Sequence, residues 1–494
     1  MKHPEPRRSI LGATAVLALL ASVVSGDRGL AADPPSSAIG PRVEFRTLGV
    51  SLEVPPDVAS VVRVREDGVP RAFLSRPIES PPWTIAIEPF RGVAPTDQPR
   101  EAIDEVIDYL QSLREADVTF TIRVNRPFAT ADREGHFLLL ERSLGTAEPD
   151  AAEGTPPPPT GILGYLVVPR DSGEYVAASI AMTPQSFEAS RAEVEALLGT
   201  MRVQDREQQR AFERSLLDAG RRREASFRED RLRELADGEV RWYRLHRPAV
   251  GEEPAREVGC LAVRATIAPQ GLVDGSRDPA GLRDSEREEG LLVVIEGRML
   301  PPETAAGTSR EMLDLSLRAW TSLDRTSEAW SLRQTIRGSR DEPTNAETGL
   351  RARPTPAQPR SVLEVIIANR ESMSREPRRF PLPDEPYATQ AELALLGPLL
   401  APLASAGGEF AWRAYDRRLG EVPRRVEQIV PLSDPPGGFE VRTLLHPDDP
   451  QPTIQRFDSE GRLLERRDLD GTVTTPIDPD DLRRLWQRKR LPEI

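Results

Sequence analysis

Lysine is nearly missing from this chain. Lys2 and Lys489 are the only two in 494 residues, so arginine carries almost all the positive charge. Such one-sidedness fits GC-rich coding better than arginine-specific chemistry. Cysteine is scarcer still. Cys260 stands alone, which excludes an intramolecular disulfide in any compartment. It lies in the alternating run Cys260, Leu261, Val263 and reads as a small buried hydrophobe. Histidine is rare, and His136, His246 and His446 are far apart, so no metal centre built from histidine is expected. The chain contains no Gly-x-Ser-x-Gly, no phosphate-binding glycine loop, no His-Glu-x-x-His and no Cys-x-x-Cys. Asp468-Leu469-Asp470-Gly471 lacks the third acid and the distal glutamate of a calcium loop and reads as a hairpin turn. His446-Pro447-Asp448-Asp449 reads as a turn as well. No catalytic residue, metal ligand or cofactor is therefore assigned. Net charge is -13 and the isoelectric point is about 5.2, which argues against nucleic acid as a partner.

Long apolar runs are also missing, with one exception at the start. Residues 1–32 have the three parts of an export signal. Lys2, Arg7 and Arg8 are basic, Ile10 to Val24 is apolar, and small residues offer cleavage after Gly26 or Ala32. Arg7-Arg8 resembles a twin-arginine signal. No cysteine follows the apolar run, so lipid anchoring is not expected. No other run approaches the roughly 18 residues of a spanning helix. The mature protein is expected to be extracytoplasmic, periplasmic or secreted, with no transmembrane domain.

Residues 41–203 read as an α+β domain. Val118, Phe120, Ile122 and Val124 alternate with polar residues, the period of a half-buried strand. His136 to Leu140, Gly164 to Val168 and Tyr175 to Met182 are denser strands. Two helices interrupt them. Glu101 to Leu113 carries Ile103, Val106, Ile107 and Leu110 at helical spacing, and Gln185 to Gly199 follows. Helices on an antiparallel sheet make an α/β sandwich. The opening VSLEVP, the mid-domain helix, the meander and the closing FEASRAEVEALLGTMRV resemble the Mog1/PsbP-like fold. That resemblance implies a non-enzymatic binding or assembly module.

Residues 204–237 read as a charged helical connector, divided into two helices at Gly220. Arg221, Arg222 and Arg223 are expected on a solvated face, beside Glu213, Asp218 and Glu224.

Residues 238–494 read as a meander of roughly ten strands, enough to curl into a half-barrel. Segments 271–290 and 338–360 read as loops. One convincing helix, Thr389 to Leu403, interrupts the meander. Thr389 and Glu392 have capping-box spacing. Leu393, Leu396, Leu400 and Leu403 form one stripe, and Pro398 should bend the helix. The stripe buries most simply against the concave face of the sheet. A curved sheet with one helix across it resembles the LolA/LolB-like half-barrel, which implies a ligand between sheet and helix. Candidate ligand-binding residues are Tyr387, Trp330 and Trp412; the competing reading is that they fill the core.

The expected fold class is therefore α+β: an N-terminal antiparallel sandwich, a helical connector, and a large curved antiparallel sheet with one helix across it. The expected function is an exported, non-enzymatic binding or assembly factor of the cell envelope, with a lipid or protein partner and an apolar ligand in the C-terminal domain. A hydrolase with a nonstandard site and a purely structural envelope protein are the alternatives.

Overall fold

The computed structural model describes residues 40–64, 69–76, 81–91, 98–112, 118–144, 160–249, 251, 254–300, 312–336, 345–356, 359–369, 374–445, 451–489 and 491. The expected export signal at 1–32 lies outside the described residues. The chain divides into two compact units, one ending at Phe212 and one starting at Glu213. It is an α+β protein built on three antiparallel sheets.

The strands of the first unit are β1 (Arg42–Phe45), β2 (Val50–Glu53), β3 (Ala59–Val64), β4 (Pro70–Ser75), β5 (Trp83–Arg91), β6 (Val118–Ala129), β7 (Glu134–Leu144), β8 (Thr160–Asp171), β9 (Glu174–Met182) and β10 (Arg202–Val203). Its helices are α1 (Pro99–Ser112) and α2 (Pro184–Gly199). Seven strands form one sheet in the order β3-β4-β5-β9-β8-β7-β6, and β1-β2-β10 form another. The two-residue period of β7 decides which face each residue meets. Leu138 and Leu140 pack with Ala102, Ile103, Val106 and Leu110 of α1. Phe137 and Leu139 point the other way, into a core shared with Leu52, Val194, Leu197 and Leu198. Thr183 caps α2 by accepting the Ser186 N–H, and Pro184 opens its first turn. The unit is thus filled on both sides of its sheet. The helices and the closing strand fall where the alternation places them, and β3 and β4 are additions.

The unit boundary falls inside α3 (Arg206–Glu224), which is followed by α4 (Glu229–Leu235). The expected break at Gly220 does not occur; the helix runs through it and ends four residues later. Gly220 has a different task. A Cβ there would meet the Ala411 carbonyl oxygen at 2.0 Å, so only glycine lets this helix approach the sheet so closely. The arginine run is a solvated face only in part: Arg221 and Arg222 are exposed, with Arg221 3.8 Å from Asp218, and Arg223 is half-buried. Arg223 donates to the Gly407 carbonyl at 2.9 Å and lies over the Phe410 ring, and Arg221 donates to the Asp384 carbonyl at 2.6 Å.

The second unit continues with β11 (Val240–Arg247), β12 (Arg256–Pro269), β13 (Glu289–Met299), β14 (Leu313–Ser322), β15 (Glu328–Ile336), β16 (Asn345–Arg351), β17 (Val362–Asn369) and β18 (Ser374–Pro381). Then come α5 (Gln390–Ala394), α6 (Leu396–Leu400), β19 (Gly408–Arg413), β20 (Arg424–Pro431), β21 (Phe439–Leu444), β22 (Thr453–Phe457), β23 (Leu463–Arg467), β24 (Val473–Pro476) and α7 (Pro479–Arg488). All fourteen strands join one antiparallel sheet, ordered β18-β17-β16-β15-β14-β13-β12-β11-β24-β23-β22-β21-β20-β19. Tyr387 extends the β19 edge through a parallel bridge to Arg413. The expectation of about ten strands was low. β16, NAETGLR, lies inside a stretch read as loop, and β18, SREPRRFP, has no apolar alternation. β18 is an edge strand, where proline and charge are tolerated and discourage further pairing.

The expected helix is divided. α5 and α6 are separated at Leu395, and a 3₁₀ turn, Ala401–Ala406, follows. Pro398 explains the break: its ring has no N–H to give the Ala394 carbonyl four residues back and would clash with it. Leu395, Leu396, Leu399 and Leu400 are buried in a core with Trp330, Phe410, Trp412, Tyr415, Phe439 and Val441 from the concave face of the sheet.

Candidate functional site

The helix pair is fixed at its start by a buried polar clamp. Thr389 and Glu392 complete the capping box: the Thr389 N–H donates to Glu392 Oε2 at 2.8 Å, and the Glu392 N–H donates to Thr389 Oγ1 at 3.3 Å. Glu392 is fully buried, so its charge needs a partner. Arg325, in the β14–β15 turn, supplies it through Nε and Nη2. The same guanidinium donates to the Tyr387 carbonyl at 3.1 Å and lies 3.3 Å from Glu224. Arg325 has φ 61°, a left-handed conformation unusual for a side chain of its size. Burial opposes its charge, but Glu392 and Glu224 hold its pKa above the ordinary arginine value.

Glu328 and Tyr387 sit beside this group. Tyr387 Oη donates to Glu328 Oε1 at 2.5 Å, and the Gln390 N–H donates to Oε2 at 3.3 Å. Burial pushes the Glu328 carboxyl up to about 7, against the pull of Arg351 and the Tyr387 hydrogen bond. Burial, with Glu328 next to it, also raises Tyr387 well above the usual tyrosine range. A carboxyl near neutrality has the pKa of a general base. Here both of its oxygens are occupied by groups that hold the helix, and Glu328 is 1% exposed. The arrangement fixes α5 to the sheet.

The three aromatic candidates fall in one core. Tyr387 is 6% exposed, Trp330 2% and Trp412 0%. Trp330 packs on Tyr415 with ring centroids 5.3 Å apart, and Trp412 meets Phe410 edge-on at 4.8 Å. Tyr387 is joined to them by the clamp; Arg351 lies over its ring. None of the three lines either groove described next.

The grooves lie along the other side of the helix pair. One, of about 580 Å³, is walled by Leu393 and Leu396 on the helices and by Leu261, Val263, Ile295 and Leu463 on the sheet. A second, of about 430 Å³, continues towards β20 and β21; Leu393, Leu396, Gln455 and Arg466 line both. Strand register explains the wall. Leu261 stands opposite Gly297, and Gly297 opposite Leu315; Val263 stands opposite Ile295, and Ile295 opposite Leu317. These residues share the concave face with the core, yet Leu261, Val263, Ile295, Leu315 and Leu317 are only half-buried. Tyr243, opposite Leu261, also lines the groove, and burial raises its pKa. The volume is that of ordinary ligand pockets.

Other features offer less. A groove of about 750 Å³ on the opposite face of β12–β15 mixes Arg264, Arg298, Arg318 and Arg333 with Glu296 and Asp314. Cys260 is buried against Leu482 and Trp486, and burial raises its thiol to about 11, so it does not present a thiolate. Among the described residues no three His, Cys, Asp or Glu side chains gather as a metal site, and no helix is long and apolar enough to cross a membrane.

No family model matches the sequence, and no curated protein matches it. Solved structures do match. A cyanobacterial PsbP (CyanoP) from Synechocystis sp. PCC 6803 is similar over 35% of this chain and 98% of its own, at 8% identity and a TM-score of 0.25. A β-barrel-like protein of a domain of unknown function, DUF1849, from Brucella abortus is similar over 48% of this chain and 93% of its own, at 9% identity and a TM-score of 0.30. A Bacteroides thetaiotaomicron structure is similar over 34% and 50%, at 12% identity and a TM-score of 0.21. A PsbP structure and a barrel-like structure are the kinds of likeness the sequence suggested. At these scores they have no bearing on function.

Proposed function

We propose that the chain is an exported, non-enzymatic binding factor of the cell envelope, and that it holds an apolar ligand in the groove beside α5 and α6. One observation carries this reading: Leu261, Val263, Ile295 and Leu317 stay half-exposed beside the helix pair, although Ala265, Leu291, Val293 and Ala319 on the same strands are close-packed in the core. Apolar surface left open in a concavity costs about 25 cal/mol per Å², and a bound acyl chain would recover it. Export follows from the leader at 1–32. The ligand class is a lipid or the acyl chain of a lipid-modified protein. In this reading the 41–203 sandwich and the 204–237 connector present the ligand-bearing domain, 238–494, to a partner. Tyr387, Trp330 and Trp412 act as the packed wall that fixes the helix, one layer behind the ligand. Glu328, the carboxyl raised to about 7, has both oxygens engaged in holding the helix, which speaks against the hydrolase alternative at that residue.

Mass spectrometry of lipid extracts from the purified mature protein tests the proposal. An acyl-chain species in stoichiometric amount is expected. A protein that yields none, and that fails to bind a solvatochromic apolar dye, would overturn it.

A further inference from the structure

We propose that the groove selects an uncharged head group: its ligand is a long-chain acyl ester of the acylglycerol type, in preference to the matching fatty acid or an anionic phospholipid. This rests on the reading of the groove as a lipid site and goes one step further, to what the head must be.

The charges along the groove are already matched. Arg231 contacts Glu234 at 2.5 Å, Arg462 contacts Glu460 at 2.9 Å, and Arg466 contacts Asp468 at 2.7 Å. Arg241 is paired with Asp237. In the second groove, Arg425 pairs with Glu427 at 3.0 Å, Arg418 lies 4.0 Å from Asp416, and Asp470 is held by Arg247 at 2.9 Å. Every arginine and every carboxylate lining the two grooves thus has an opposite charge beside it. A fatty-acid carboxylate entering here would have to take an arginine from its partner or be buried alone. The first gives up an existing pair, and the second leaves the carboxylate against aliphatic side chains without a counter-charge.

The polar groups that remain available carry no charge. Among the described residues, the Tyr243 hydroxyl, the Gln455 carboxamide and the Thr474 hydroxyl make no hydrogen bond, and all three line the groove. Gln455 stands between Arg466 and Val441 on the inward face, where the two grooves meet. Its amide offers two donors and an acceptor, enough for an ester carbonyl and a neighbouring hydroxyl. Tyr243 stands opposite Leu261, at the edge of the aliphatic wall, and adds a further hydroxyl. Aliphatic walls with free neutral hydrogen-bonding groups between paired charges suit an acyl chain ending in a glycerol ester.

The test uses the full mature chain, stripped of bound lipid and loaded with the neutral dye N-phenyl-1-naphthylamine. Monomyristoylglycerol, myristate and myristoyl-lysophosphatidylglycerol are compared as displacers at pH 8. The glyceride is expected to displace the dye at a concentration at least about tenfold lower than either anion. Equal or better displacement by myristate would overturn the head-group inference and leave the lipid site standing. No dye binding and no displacement would remove the lipid site and the inference together. Gln455→Leu should erase most of the glyceride advantage while leaving myristate unchanged; an undiminished advantage would refute the part given to Gln455. Tyr243→Phe removes only a hydroxyl and keeps the test open if Gln455→Leu folds poorly, with circular dichroism as the check.

Discussion

The two sides of the α5–α6 helix pair are built from the same kinds of strand and end up unlike each other. On one side, Trp330, Trp412, Tyr415, Phe410 and the leucines of the helices close every space, and a clamp of arginines and glutamates fixes the helix start. On the other, Leu261, Val263 and Ile295 present the same inward face to a groove. Where the sheet offers Trp330, Trp412 and Tyr415 the core is closed; beside the groove Leu261, Val263 and Ile295 stay half-buried, next to Tyr243 and Phe457. The filled side holds the partition in place, so the open side can keep its shape without a ligand. Variants on the two sides should therefore separate stability from binding.

The largest effect is expected at the clamp. Arg325→Ala leaves Glu392 buried without its cation, with Glu224 also unpaired. Breaking a buried pair from one side costs about 3–5 kcal/mol, so urea unfolding should show a loss of that order. A loss below about 1 kcal/mol would mean that the helix is held by packing alone.

The next effect depends on pH. The Glu328 carboxyl is raised in the folded protein from 4.5 to about 7. Between these values the folded state binds the proton more tightly than the unfolded state does. Its contribution is therefore fully present below about pH 4.5 and is lost as pH rises through 7. Glu224, Glu347 and Glu427 are shifted the same way by burial, so the comparison must be with a variant. In Glu328→Gln the fall in stability from pH 5 to pH 8 should be shallower than in the parent, by on the order of 1–3 kcal/mol. Identical pH profiles would show that Glu328 titrates normally.

Gly220→Ala comes third. The added methyl would meet the Ala411 carbonyl, and the helix would have to move away from the sheet. Overpacking of this kind costs about 1–3 kcal/mol. On an open helix face the same change would be stabilising, because alanine is the better helix former. The sign of the change in melting temperature thus reports whether α3 touches β19.

How much of this contrast the sequence reveals depends on the range of the interactions. The capping box at Thr389 and Glu392 spans four residues and was legible at once. So were the alternating strands around Leu261–Ile267 and Leu313–Ala319, and the need for Pro398 to disturb the helix. The clamp was not, because Glu224, Arg325, Glu328, Arg351 and Glu392 come together only after the sheet curls. A faint signal existed: Glu328, Glu347 and Arg351 fall at inward positions, where apolar residues are expected. β18 escaped notice because an edge pairing needs no apolar period, and β16, an inner strand, because NAETGLR places Glu347 and Gly349 where apolar residues are expected. Tyr387, Trp330 and Trp412 were legible as large inward residues, but which side of the helix they face is set by the register of strands far apart in the chain. The groove itself follows from what the helix fails to reach, and no local pattern encodes that.

The smallest effect on stability should come with the largest effect on binding. Leu261→Asp puts a carboxylate into the aliphatic wall at a half-buried position that touches the groove. Nearby Tyr243 and Gln455 can solvate it in part, and water in the empty groove does the rest, so the loss of stability should stay within about 1 kcal/mol. An acyl chain placed against the same carboxylate would lose its apolar partner and force the charge out of water. Each buried methylene is worth about 0.8 kcal/mol, so losing contact with a few of them, with the desolvation cost added, lowers dye and lipid affinity by at least about a hundredfold. Arg325→Ala makes the opposite demand. Where enough of that variant stays folded, the groove wall is intact and affinity should fall only as far as the helix loosens. If Leu261→Asp unfolds the protein and Arg325→Ala abolishes binding without destabilising it, the two sides of the helix have been assigned the wrong way round.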